Sequence, residues 1–136
     1  MALLLAVRRN RVEIVELLLS IPESIYTSMS KTLTGSNVNL QDVDGWTALM
    51  FASYYGYIKI VKLLISIPDF GVNLQSKNGW TALMIASSLG NTEIVELLLS
   101  RSEINIDLQN AWEQTALEIA SRRGYNKIVS LLENHK

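Results

Sequence analysis

The side chains that could do chemistry are few and poorly placed for it. Glu13 and Glu16, and again Glu93 and Glu96, are carboxylate pairs at a spacing that puts both on one face of a helix. Such pairs do acid–base work only when burial or a neighbour drives their pKa values apart. Here they fall on the polar face of amphipathic segments, where nothing would do so. A Ser-His-Asp triad would have to recruit His135, the single histidine, next to last in a chain of 136 residues. There is no cysteine, which removes thiolate nucleophiles, disulfides and cysteine-based zinc sites. The seven glycines are isolated rather than gathered into a phosphate-cradling loop. No metal set and no cofactor site follows, so the chain reads as a non-enzyme.

What remains must be read from the elements that carry the side chains. Hydrophobic residues make up 49% of the chain and charged residues 18%, a composition that builds a core and is not that of a disordered segment. The length suits a single domain over residues 1–136. Twelve basic and thirteen acidic residues give a net charge of −1, which argues against bulk attraction to nucleic acid or an anionic membrane. No apolar run approaches the ~20 residues of a membrane helix. At the start, Arg8 and Arg9 follow the apolar run instead of preceding it, the reverse of a signal peptide. With no export signal and no cysteine, an intracellular setting, cytoplasmic or nuclear, is expected.

The chain repeats itself. Thr47–Ser66 (TALMFASYYGYIKIVKLLIS) and Thr81–Ser100 (TALMIASSLGNTEIVELLLS) agree at 12 of 20 positions. Thr115–Asn134 and Met1–Ser20 each agree with the second block at 11 of 20. The last three copies are 34 residues apart, and the first lies 46 before the second, an insertion of 12. Repeats are thus placed at about 1–20, 46–66, 80–100 and 114–134, with the insertion at about 24–35. Such a period signals a stacked array of helical units.

A period of 34 suits two helical repeat families, and the turns between the blocks separate them. Val38–Trp46 and Val72–Trp80 set short alternating runs around Asp44-Gly45 and Asn78-Gly79, which is a hairpin-like signal. Gly-Trp-Thr-Ala-Leu-Met, a later Gly, Ile-Val-x-Leu-Leu and then Val-Asn together resemble the ankyrin repeat over nearly the whole chain. The resemblance implies an all-α repeat solenoid of stacked helix pairs with short β-hairpin-like loops.

The departures from the family pattern carry expectations of their own. Ala48, Ala82 and Ala116 stand where the family usually has proline, and alanine's high propensity should preserve the helix. Met50, Met84 and Glu118 replace its usual histidine, so the customary threonine–histidine bond cannot form. Glu113 replaces the turn glycine, which predicts a distorted last hairpin. Gly56, Gly90 and Gly124 should end the first helices in a left-handed residue, with Asn10 in that slot in the first copy.

The second helices carry Ile14/Val15/Leu17/Leu18, Ile60/Val61/Leu63/Leu64, Ile94/Val95/Leu97/Leu98 and Ile128/Val129/Leu131/Leu132. No single unit can bury so wide an apolar stripe, so neighbours must stack. On the outer face the charges alternate, Glu13/Glu16, Lys59/Lys62, Glu93/Glu96 and then Lys127, which would set opposite charges side by side on what reads chiefly as a solvated face. Glu118 and Glu133 at stripe positions suit a terminal cap. At the other end, either a preceding segment is missing or Leu3, Leu4 and Leu5 cover themselves by self-association through the first unit. The serine- and threonine-rich insertion reads as a loop.

The resemblance implies recognition of a protein or peptide partner on a concave surface formed by the hairpin tips and first helices. Carried over to this sequence, the tips are Val43, Asp44 and Trp46, then Lys77, Asn78 and Trp80, then Ala111 and Trp112 beside Gln114. The first helices contribute Arg8/Arg9, Tyr54/Tyr55, Ser88/Leu89 and Arg122/Arg123. Arginine pairs thus flank a tyrosine- and leucine-bearing centre, and Tyr, Trp and Arg dominate interface energetics. The tryptophans recur from unit to unit and could equally serve the stack. Two other readings stay open: a passive spacer in a longer array, and contact with nucleic acid through the arginine pairs, which the net charge opposes.

Overall fold

The computed structural model describes residues 2–20, 38–68 and 70–135, so the insertion assigned to 24–35 lies outside the described residues. Among these residues the chain forms eight helices and no strand. They are α1 (Ala2–Arg8), α2 (Val12–Ser20), α3 (Ala48–Tyr55), α4 (Ile58–Ile65), α5 (Ala82–Ser88), α6 (Thr92–Leu99), α7 (Ala116–Arg123) and α8 (Asn126–Glu133). Consecutive helices pair as α1–α2, α3–α4, α5–α6 and α7–α8. The pairs stack in two layers: α1, α3, α5 and α7 touch in series, and so do α2, α4, α6 and α8. That is the expected helical solenoid.

Local chemistry sets each helix. Thr47, Thr81 and Thr115 sit in extended backbone, and their hydroxyls accept from the amides of Met50, Met84 and Glu118 at 3.2, 3.1 and 3.3 Å. Each satisfies a donor the helix leaves open at its N-terminus, without the family's histidine. In the last unit the Thr115 hydroxyl also donates to the Glu118 carboxylate at 3.4 Å. The inner helices end at Gly56, Gly90 and Gly124, with φ of 74°, 73° and 77°, and at Asn10 with φ of 51°. At Gly90 a side chain would also meet the Tyr125 ring at 2.8 Å.

The stripes pack as their spacing requires. Ile60, Val61 and Leu64, Ile94, Val95 and Leu98, and Ile128 and Leu132 are all buried. Met50 and Met84 are buried between layers, whereas Glu118 at the same position is exposed. Ser53 and Ser87 are small enough to sit fully buried among the inner helices.

Two expectations change. The first stripe is not all core: Val15 is buried, but Ile14 is 47% and Leu17 65% exposed. Its equivalents Ile60, Ile94 and Ile128 are buried, on helices that each touch the outer helix before them, whereas no helix precedes α1 among the described residues. Leu3 and Leu4 face into the stack and are buried, leaving only Leu5 of that trio at the surface. The alternating outer charges form no ion pair among the described residues, in keeping with a solvated face. Among the described residues the one ion pair is Arg101–Glu103, in the connector after α6. Arg101 also donates to the carbonyl of Ile65, the last residue of α4, so a single guanidinium ties two neighbouring outer helices. Long exposed side chains lose entropy for little Coulomb gain in water, which is why rows of opposite sign need not close into pairs.

Candidate protein-interaction surface

The hairpins are built by three short side chains at one register. Asp42 accepts from the amides of Asp44 and Trp46 at 2.9 and 2.8 Å, Ser76 from Trp80 at 3.1 Å, and Asn110 from Trp112 and Gln114 at 2.9 and 3.1 Å. Each turn then closes through its backbone, Asp42 to Trp46, Ser76 to Trp80 and Asn110 to Gln114. The tip residue is left-handed in all three: Gly45 and Gly79 at φ 79° and Glu113 at φ 60°.

The expected distortion at Glu113 is absent. Its hairpin keeps the same bonds as the others, with the amide of Glu113 donating to Asn110 at 2.9 Å. Two constraints require glycine at the earlier tips. A Cβ on Gly45 would lie 2.8 Å from the Lys77 amide nitrogen, and one on Gly79 would lie 2.8 Å from the Cα of Asn110. No further hairpin stacks on the Glu113 tip among the described residues, so only the cost of left-handed backbone remains there.

Neighbouring hairpins are tied together at the repeat period. The Gln41 amide donates to Gly45 of its own turn and to Gln75 of the next, both at 2.9 Å. Gln75 does the same toward Gly79 and Gln109 at 3.0 Å. Main-chain bonds from Lys77 to Asp44 and from Ala111 to Asn78, at 3.0 and 2.9 Å, hold the tips side by side. Asn39 and Asn73 add a second ladder, accepting from Gly71 and Asn105 at 2.8 Å. The tips therefore form a fixed edge.

Between that edge and the inner helices run three merging depressions. The first, about 270 Å³, lies between Leu4, Leu5, Arg8, Asp42 and Phe51. A second of about 500 Å³ shares Arg8, Asp42 and Phe51 and continues over Val43, Trp46 and the two tyrosines. The third, about 340 Å³, lies between Trp46 and Trp80 and is lined by Tyr54, Lys77, Asn78 and Ser88. Rings run along this groove in contact. Trp46 lies 5.1 Å from Phe51 and 5.7 Å from Tyr54, Tyr54 meets Tyr55 edge-on at 5.1 Å, and Tyr55 stacks on Tyr57 at 5.3 Å. The Arg8 guanidinium sits 5.2 Å over the Phe51 ring.

The groove brings together Arg8, Val43, Asp44, Trp46, Tyr54, Tyr55, Lys77, Asn78, Trp80 and Ser88. Ser88 is buried, and its hydroxyl donates to Ile85 at 2.8 Å. Arg9 turns away from Arg8 and lines a different hollow with Leu5 and Ile14. Leu89, Ala111, Trp112, Arg122 and Arg123 are exposed farther along the stack, outside these depressions. Phe51 and Asp42 line the groove without having been singled out in the sequence. Phe51 occupies an apolar slot also filled by Ile85 and Ile119, and only its ring marks it as different.

A family model described as ankyrin repeats (3 copies) matches residues 1–71 and again residues 67–136. The chain belongs to the ankyrin repeat family. Ankyrin repeats are, in general, protein–protein interaction modules and typically non-enzymatic. No curated protein matches the chain. In this ankyrin domain, among the described residues, no three His, Asp or Glu side chains come close enough to hold a metal ion. No described helix is long and apolar enough to cross a membrane.

Proposed function

We propose that this chain is a non-enzymatic recognition module whose concave, hairpin-side surface binds an extended segment of a partner polypeptide. The observation that carries the reading is the unbroken row of rings from Phe51 through Trp46 to Tyr54 and Tyr55, held open beside a fixed hairpin edge. Tyr54 and Tyr55 are about half exposed, although aromatic surface of this size is normally covered. Neither tyrosine recurs in the other units, so stacking does not explain them. Arg8 at one end and Arg122 and Arg123 at the other suit acidic residues near both ends of the segment, with its apolar part over the rings.

The test is capture from lysate of the host by the full chain, followed by affinity measurement on whichever protein is retained. Tyr54→Ala with Tyr55→Ala should lower that affinity by tenfold or more while circular dichroism and melting temperature hold. Lys59→Ala with Lys62→Ala, on the opposite face, should leave it unchanged. An unaltered affinity in the tyrosine variant contradicts the assignment.

A further inference from the structure

We infer that the depression between Trp46 and Trp80 is a pocket for a cationic side chain, a lysine or arginine of the bound segment. The inference rests on reading this face as the partner-binding side and adds one cationic residue of the partner on the Trp80 side of Trp46 and Tyr54, next to the apolar part that covers Phe51 and Tyr55.

One row of side chains beside this pocket varies in size. Positions 8, 54, 88 and 122 are equivalent, and carry Arg, Tyr, Ser and Arg. Only at Ser88 is the side chain small, and there the surface opens to about 340 Å³ between the two indoles. Trp46, Tyr54 and Trp80 all line it, so three electron-rich rings border the space. A cation over such rings is attracted by their quadrupoles, more strongly for indole than for other rings.

Two further observations give the sign of the charge. Asp44 lines the same pocket, and its carboxylate makes no ion pair among the described residues. Its backbone is fixed by the bonds to Asp42 and Lys77, so the residue keeps its place in the lining. One unit earlier the groove already holds a cation on a ring, the Arg8 guanidinium over Phe51 at 5.2 Å. Lys77 is the competing feature. Its side chain is exposed and unpaired among the described residues, and a long lysine stem lines apolar surface while its ammonium stays in water.

The test titrates the isotope-labelled full chain with Nα-acetyl-lysine amide and with Nα-acetyl-norleucine amide, which has the same stem without the ammonium. The readout is the indole N–H signals of Trp46 and Trp80, with exposed Trp112 as internal reference. The lysine probe should shift Trp46 and Trp80 and bind at least about threefold more tightly than the norleucine probe. Asp44→Asn should weaken the lysine probe about threefold, and Lys77→Gln should leave it unchanged or tighten it. Equal binding of the two probes, indifference to Asp44→Asn, or no shift at either indole overturns the inference. Tighter binding of Nα-acetyl-glutamate amide, lost in Lys77→Gln, overturns it in favour of an anion. If Asp44→Asn leaves partner capture intact while the tyrosine variant abolishes it, the pocket assignment fails and the reading of the face stands.

Discussion

Gln41 donates its side-chain amide to the main-chain carbonyl of Gln75 at 2.9 Å, and Gln75 repeats the bond to Gln109 one period later. Each glutamine also closes its own turn, so one side chain specifies both the shape of a hairpin and its distance from the next. The groove depends on that edge, because Trp46 and Trp80 border one depression only if their hairpins keep step.

Gln75→Ala removes two of these bonds together. At roughly 0.5–1.5 kcal/mol net for each hydrogen bond, the loss should be about 1–3 kcal/mol in urea unfolding. Gln109→Ala removes the bond to Glu113 but leaves the one Gln75 donates to the Gln109 carbonyl, and should cost less. Equal losses at the two positions would mean that the ties between neighbours contribute nothing.

The tip residues give a paired prediction of opposite sign. Glu113→Gly relieves left-handed backbone where nothing stacks above, and should stabilise by about 0.5–1 kcal/mol. Gly79→Ala adds the same backbone cost and drives a Cβ to 2.8 Å from the Cα of Asn110, so it should destabilise by more than about 1 kcal/mol. Thermal melts of the two variants beside the parent decide it. Stabilisation by Gly79→Ala would contradict the close approach of the hairpins.

Glu103 carries a pH dependence. The hydrogen bond from Arg101 is the main reason its carboxyl titrates below the ordinary glutamate range, with its own backbone amide next. A depressed folded-state pKa means the unfolded chain binds the proton more readily, so the stabilisation is present above the unfolded pKa. It is lost as pH falls through the lower folded value. Wild type should therefore melt above Glu103→Gln at neutral pH, and the two should converge in acid. Glu103 is exposed, so the gap should be small and shrink with added salt. A gap that widens on acidification would contradict the assignment.

The fold was legible in the sequence because its determinants are local and repeated. Thr47, Thr81 and Thr115 mark helix starts, Gly56, Gly90 and Gly124 mark helix ends, and the Ile-Val-x-Leu-Leu stripe marks the buried face. The Gln41–Gln75–Gln109 ladder was also present as a recurring letter, but a polar residue in a turn carries no periodic signal of burial. Glu113 misled because the glycine rule concerns φ, whereas most of the constraint at Gly45 and Gly79 comes from the hairpin above. Within the candidate site, Tyr54, Tyr55 and the tryptophans stood out by type. Phe51 and the space left by Ser88 emerged only from how neighbouring rows meet, which depends on stacking rather than on any one unit.

The most direct test of the account is hydrogen exchange of the chain alone and in complex with its captured partner. Binding should slow exchange in the hairpins at 42–46 and 76–80 and near Tyr54, Tyr55 and Ser88, while α4 and α6 exchange as in the free chain. Protection confined to α4 and α6, with those hairpins unaffected, would show that the partner grips the opposite face.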